Sequence, residues 1–177
     1  VYTPARTPIS LAIKVAVAVG PARRFIVGRP DIQLIDVLAG RTLDYVASAE
    51  KHAEKGEVVL HSSAADELRE LLEVVEWRED EEKGDRFAVV TGLKLMPEEH
   101  PHPQLPSGAL SAEQTRAWAL SPVYERLQSG SRFLAELRPS VALFLSFTGI
   151  DYDNDDDAGT KLDTYVRWQQ EVLAKQE

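Results

Sequence analysis

Cysteine is absent from the 177 residues, which excludes disulfides, thiolate metal ligands and cysteine nucleophiles. A reducing cytoplasm fits that absence. Methionine occurs once, at Met96, and the chain opens at Val1 without a charged-then-apolar leader. That opening predicts a piece from the interior of a longer protein. No apolar run approaches the ~20 residues that a membrane span needs, so a membrane is excluded as a partner. Basic residues are in deficit, 20 against 29 acidic, for a net charge of −9. A surface that neutralises phosphates needs clustered Lys and Arg, so nucleic acid is excluded too.

What remains is a soluble acidic chain, 44% hydrophobic, long enough to close a core. Residues 7–95 read as alternating strands and helices. Leu11 to Val19 is rich in β-branched residues, carries Lys14 as its one charge, and stops at Gly20-Pro21. It predicts a mostly buried strand in a hairpin with Arg24 to Val27. Ile32 to Leu38 predicts another strand. A helix follows, with Thr42 as its cap, Leu43, Val46, Ala49 and Ala53 on one face, and Gly56 as its stop. Glu57 to His61 predicts a short strand. Ser62 or Ser63 then caps a second helix, with Leu68, Leu71, Leu72 and Val75 as its buried stripe. Val74 to Trp77 and Arg86 to Thr91 flank the charged stretch around Lys83-Gly84, which predicts a hairpin with a solvated tip.

Residues 96–122 form a linker, because Pro97, Pro101, Pro103 and Pro106 break regular structure. Glu113 to Leu120 has room for two helical turns. His100 and His102 lack a third ligand and read as part of an exposed loop. Residues 123–177 open with an amphipathic stretch, then Ser140 to Thr148, the most apolar run in the chain, which fits a central strand. A helix with Leu162, Tyr165, Val166, Val172 and Leu173 at helical spacing closes the segment, and Thr160 with Asp163 predicts a capping box.

Between them lies Asp151-Tyr-Asp153-Asn-Asp155-Asp-Asp157. Alternating carboxylates suit a hard cation, but the glycine and glutamate of a calcium loop are missing in both registers. One reading is a solvated loop whose last carboxylates favour the helix N-terminus. The other is a weak divalent-ion site at Asp151, Asp153 and Asp155.

The order of these features resembles the class III nucleotide cyclases. Leu11 to Gly20, Val27-Gly28, Val37 to Gly40, the helix after Thr42, and Gly56-Glu-Val-Val-Leu-His-Ser62 are similar in order and spacing to the C-terminal half of such a domain. Val141-Ala-Leu-Phe-Leu-Ser-Phe-Thr-Gly149 is similar to the first strand of the family and hence to the front half of a second domain. The resemblance implies a tandem pair like the bacterial relatives of soluble adenylyl cyclase. It implies an α+β, ferredoxin-like, mostly antiparallel sheet with helices on one face, incomplete or permuted. The strands Leu11 to Gly20 and Ser140 to Thr148 are expected in one sheet.

Cyclisation requires two metal ions held by carboxylates, an Asn on the ribose and an Arg on the transferring phosphate. Where the family places its first metal-binding Asp, this chain has Ser146; at the Asn it has Asp44, and at the Arg it has Ser48. A hydroxyl does not hold two divalent ions as a carboxylate does, and Asp44 repels a triphosphate. Gln33 and Asp36 lie near the base-reading region, where a polar pair at a strand end is the simpler reading. The resemblance therefore implies a degenerate cleft, regulatory or structural, that makes no cyclic nucleotide. Its nucleotide or regulatory ligand would meet Gln33, Asp36, Asp44, Ser48 and Ser146. No cofactor is expected in this chain, and Mg or Mn belongs to the parent enzyme if that is active. The expected partners are the remaining halves of the two domains, met within one chain or by exchange in a homodimer. Two alternatives stay open. One is an active cyclase making cyclic AMP from ATP, with Asp151 or Asp36 as the working carboxylate. The other is an unrelated α/β ligand-binding or interaction domain.

Overall fold

The computed structural model describes residues 6–106, 108–130 and 142–175. In chain order the elements are β1 (Val15–Val17), β2 (Arg23–Arg29), β3 (Gln33–Ala39), α1 (Arg41–Lys51), β4 (Val58–His61), α2 (Ser62–Glu67), β5 (Leu72–Asp80), β6 (Asp85–Leu93), α3 (Ala112–Arg116), α4 (Ser121–Gln128) and α5 (Ala158–Leu173). They fall into two compact units. Unit 1 takes the described residues up to Ala22 together with Ala39–His100. Unit 2 takes Arg23–Leu38 and the described residues from Pro101 onward. The β2–β3 hairpin groups with the C-terminal helix.

Unit 1 is a four-stranded sheet in the order β1-β4-β6-β5, with only β1 and β4 parallel. The mixed α+β class with a mostly antiparallel sheet is the one the sequence pattern predicts. Strand alternation sorts the core. Val59, Phe87 and Val89 meet Ala49 of α1 and Ala53 just beyond its end, and the small alanines let the helix lie close. Leu60 and Ala88 alternate to the other face, where Ala64 and Ala65 of α2 and Leu72 cover them. The helices thus divide between the two faces rather than sharing one. Among the described residues, no helix is long and apolar enough to cross a membrane.

Several expectations are corrected. Leu11 to Val19 supplies only three residues of strand, with β4 as its one neighbour, and Lys14 reaches Glu50 of α1. The hairpin expected between this run and Arg24 to Val27 does not form; β2 pairs instead with β3. Only Pro30, Asp31 and Ile32 separate those two strands, so closing that loop costs less chain entropy. The helix expected through Val75 ends at Glu67, and Leu72 opens β5. Its leucines meet helical spacing, but pairing with β6 decides the conformation. Thr42 is not the α1 cap: Gly40 holds that position, and Thr42 Oγ1 donates to the Pro21 carbonyl at 2.6 Å. Gly20 permits this approach, since a Cβ there would meet Thr42 Oγ1 at 2.5 Å.

Unit 2 is built on α5 packed against the β2–β3 hairpin. Its clamps are polar: Asp163 Oδ1 accepts the Gly28 N–H at 2.8 Å, and Gln170 bonds both strands. Asp163 is thereby taken from the capping box expected with Thr160; the N-cap is Asp157, without a side-chain cap bond. The expected strand Ser140 to Thr148 is not formed in residues 142–149, which pair with no strand among the described residues. Ser140 and Val141 lie outside the described residues. Phe144 is 92% exposed, since without neighbouring strands the run has no sheet to enter.

Candidate functional site

The candidate residues fall on separate elements. Asp44 and Ser48 stand one turn apart on α1 in unit 1. Asp44 is exposed in the first turn, whereas Ser48 is only 5% exposed. Ser48 is thus a small buried hydroxyl, and Asp44, the residue before it on that face, brings negative charge. Neither attracts a phosphate.

Gln33 and Asp36 lie on β3 in unit 2. Arg24 Nε donates to Asp36 Oδ1 at 2.8 Å, and Arg24 Nη2 reaches Asp36 Oδ2 at 2.5 Å. This two-point hydrogen bond holds the Asp36 carboxyl below its ordinary value and raises the Arg24 guanidinium. Asp36 is therefore already occupied by a cation. The pair opens on a hollow of about 370 Å³ shared with Leu110, Thr115 and Trp118. The Gln33 side-chain amide donates to the Trp118 carbonyl at 3.2 Å, and the Gln33 backbone carbonyl accepts from Gln170. Ser146 is exposed in the unpaired run 142–149.

Asp151, Asp153 and Asp155 lie in the loop before α5. Asp151 Oδ1 accepts the backbone N–H groups of Asp153 and Asn154 at 3.0 and 3.1 Å, closing a turn. Asp155 Oδ2 takes Lys161 Nζ at 2.7 Å, and its Oδ1 accepts the Asp157 N–H. Hydrogen bonding from Lys161, then from that N–H, keeps the Asp155 carboxyl below the usual range. Among the described residues, no group of three or more His, Asp or Glu is arranged to hold a metal ion. Asp151 and Asp155 thus accept from donors within the loop and the first turn of α5. Ser146 brings a hydroxyl and no carboxylate to its position.

Three arrangements carry no motif signal in the sequence. Arg78 of β5 donates from both terminal nitrogens to Glu57, at 2.7 and 2.8 Å, and also bonds Glu76. Around Phe87 the rings of His52 and His61 gather at 4.2 and 5.7 Å, with Tyr45 stacked on His61. Asp163 and Gln170, seven residues apart on α5, form the clamp on the hairpin. Only the last had a readable clue, two polar residues on one helical face.

No protein-family model matches the chain, and no curated protein does. Two solved structures are similar to part of it. One is the dimeric guanylyl cyclase domain of the RhoGC fusion protein from the aquatic fungus Blastocladiella emersonii, at 17% identity and a TM-score of 0.38, over 42% of this chain and 40% of that one. The other is the guanylate cyclase domain of RhGC from Catenaria anguillulae in complex with GTP, at 20% identity and a TM-score of 0.36, over 42% of each chain. The chain spans about two fifths of both.

Proposed function

We propose that the chain is a non-catalytic segment of a tandem nucleotide-cyclase-like protein, with a regulatory or structural role in cyclic nucleotide signalling. One observation carries the reading. On α1, the helix whose place in the strand-helix order resembles the cyclase Asn-to-Arg helix, the two positions hold an exposed Asp44 and a buried Ser48. In-line attack on an α-phosphate builds negative charge that needs a cation or a metal at this point. A carboxylate and a hydroxyl supply neither.

The acidic loop is consistent with this, since Asp155 is held by Lys161 and not left for a metal. The unpaired apolar run 142–149 is what the front half of a second cyclase-like domain presents without the strands of its own sheet. The partners proposed are therefore the remaining halves of both domains, in the same chain or in a second copy.

The test is turnover. Purified protein incubated with ATP or GTP and manganese is expected to give no cyclic nucleotide above a protein-free control. Protein-dependent formation of cyclic AMP or cyclic GMP would overturn the reading and favour an active cyclase.

A further inference from the structure

His61 ends β4 and is the N-cap of α2, at 4% exposure. Its Nδ1 accepts the Ser63 backbone N–H at 3.1 Å, and the Ser63 hydroxyl lies 3.0 Å from the same nitrogen. An amide N–H only donates, so Nδ1 is unprotonated and the neutral ring carries its proton on Nε2. That nitrogen is buried without a hydrogen bond, and Asp85 Oδ1 stands 3.5 Å away. The cap is also tied to the chain leaving β1, because Ser63 Oγ accepts the Val19 N–H at 3.2 Å.

Every element around the ring contributes a neighbour. α1 supplies Tyr45, stacked at 4.0 Å; β6 supplies Asp85 and the edge-on Phe87; α2 supplies Ser63. Arg86, between Asp85 and Phe87, alternates to the other face of β6, where its guanidinium lies over Trp77. The nearby His52 has the opposite tautomer. Its Nδ1 is 2.9 Å from the Ser48 carbonyl, which only accepts, so that nitrogen keeps its proton in either charge state. Charging His52 breaks no hydrogen bond. Charging His61 does.

We infer that His61 is a proton-operated latch on α2. Neutral, it caps the helix. Protonated on Nδ1, it sets a second donor against the Ser63 N–H, releases the first turn, and turns its charge toward Asp85. Histidine is the side chain that changes charge under mild acid in general, so pH is the variable that tests the latch.

Amide exchange by NMR, expressed as protection factors, reads the latch directly. Between about pH 7.5 and about 5.5, on either side of the ordinary histidine value of about 6.5, protection of the Ser63 amide is expected to fall roughly fivefold or more, as for loss of a helix cap. The Val19 amide should follow, while the Val89 amide in β6 keeps its protection. His61→Asn, a preferred cap without a titrating group, should hold α2 closed and flatten the pH response. Unchanged Ser63 protection in the native protein, or the same step surviving in His61→Asn, would overturn the inference. Should that variant not fold, the ring nitrogen shifts of the native protein decide. A neutral His61 protonated on Nδ1 sinks the latch, and one protonated on Nε2 upholds it.

Discussion

Gln170 holds the β2–β3 hairpin closed from outside the sheet. Its Oε1 accepts the Arg29 N–H at 2.8 Å and its Nε2 donates to the Gln33 carbonyl at 2.7 Å. One side-chain amide thus satisfies a donor on one strand and an acceptor on the other, beside the turn that joins them. Gly28 makes room for it: at φ 100° its backbone suits glycine, and a Cβ would meet Gln33 O at 2.6 Å and Gln170 Nε2 at 3.0 Å. The clamp explains why α5 groups with a hairpin far from it in sequence.

Gln170→Ala is expected to leave both backbone groups without partners and to lower the stability of unit 2 by about 2–4 kcal/mol. Gln170→Glu separates the two bonds. Its carboxylate still accepts from Arg29 but faces the Gln33 carbonyl with a second acceptor. Urea unfolding followed by tryptophan fluorescence should show it weakened at neutral pH and partly restored where the carboxyl is protonated.

The Glu57–Arg78 pair makes unit 1 acid-sensitive. Hydrogen bonds from Arg78, then from the Glu54 N–H, lower the Glu57 carboxyl from its ordinary 4.5 to about 2. A depressed folded-state value means that the unfolded chain takes up the proton more readily. The stabilisation is therefore complete above pH 4.5 and is lost as pH falls toward 2. Thermal unfolding across that window should be steeper for the native protein than for Glu57→Gln, with the two curves converging at the acid end. Arg78→Lys is not expected to restore the pair, since an ammonium lacks the two-point geometry.

The acidic loop should ignore divalent ions. With Asp155 held by Lys161 and Asp151 closing its own turn, millimolar calcium or magnesium is expected to leave the melting temperature unchanged. Lys161→Ala frees Asp155, and a calcium-dependent rise confined to that variant would trace the quiet of the native loop to the lysine.

Some of this was legible in the sequence. The apolar spacing of α1 and α5 and the charged tip between β5 and β6 give those elements, since local periodicity and turn residues decide them. Leu68, Leu71, Leu72 and Val75 show the limit: they fit a helix, but the β6 partner makes the last two residues strand or its edge. Leu11 to Val19 and Ser140 to Thr148 look alike as apolar runs. Only the first gains a neighbour among the described residues, which composition does not encode. At the candidate site, the sequence gives the charge and size of Asp44, Ser48 and Ser146 and no more. The Arg24 fork on Asp36 and the histidine cap on α2 depend on contacts across strands, and a histidine in a cap position gives no sequence signal.

We propose that the described residues of this chain hold no donor set able to tie metal ions to a triphosphate. Titration calorimetry of the purified protein with a non-hydrolysable ATP or GTP analogue, with and without manganese, addresses it most directly. Manganese is expected to bring no gain in nucleotide affinity. A gain of about tenfold or more, equivalent to ~1.4 kcal/mol, that disappears in Asp44→Ala would contradict it.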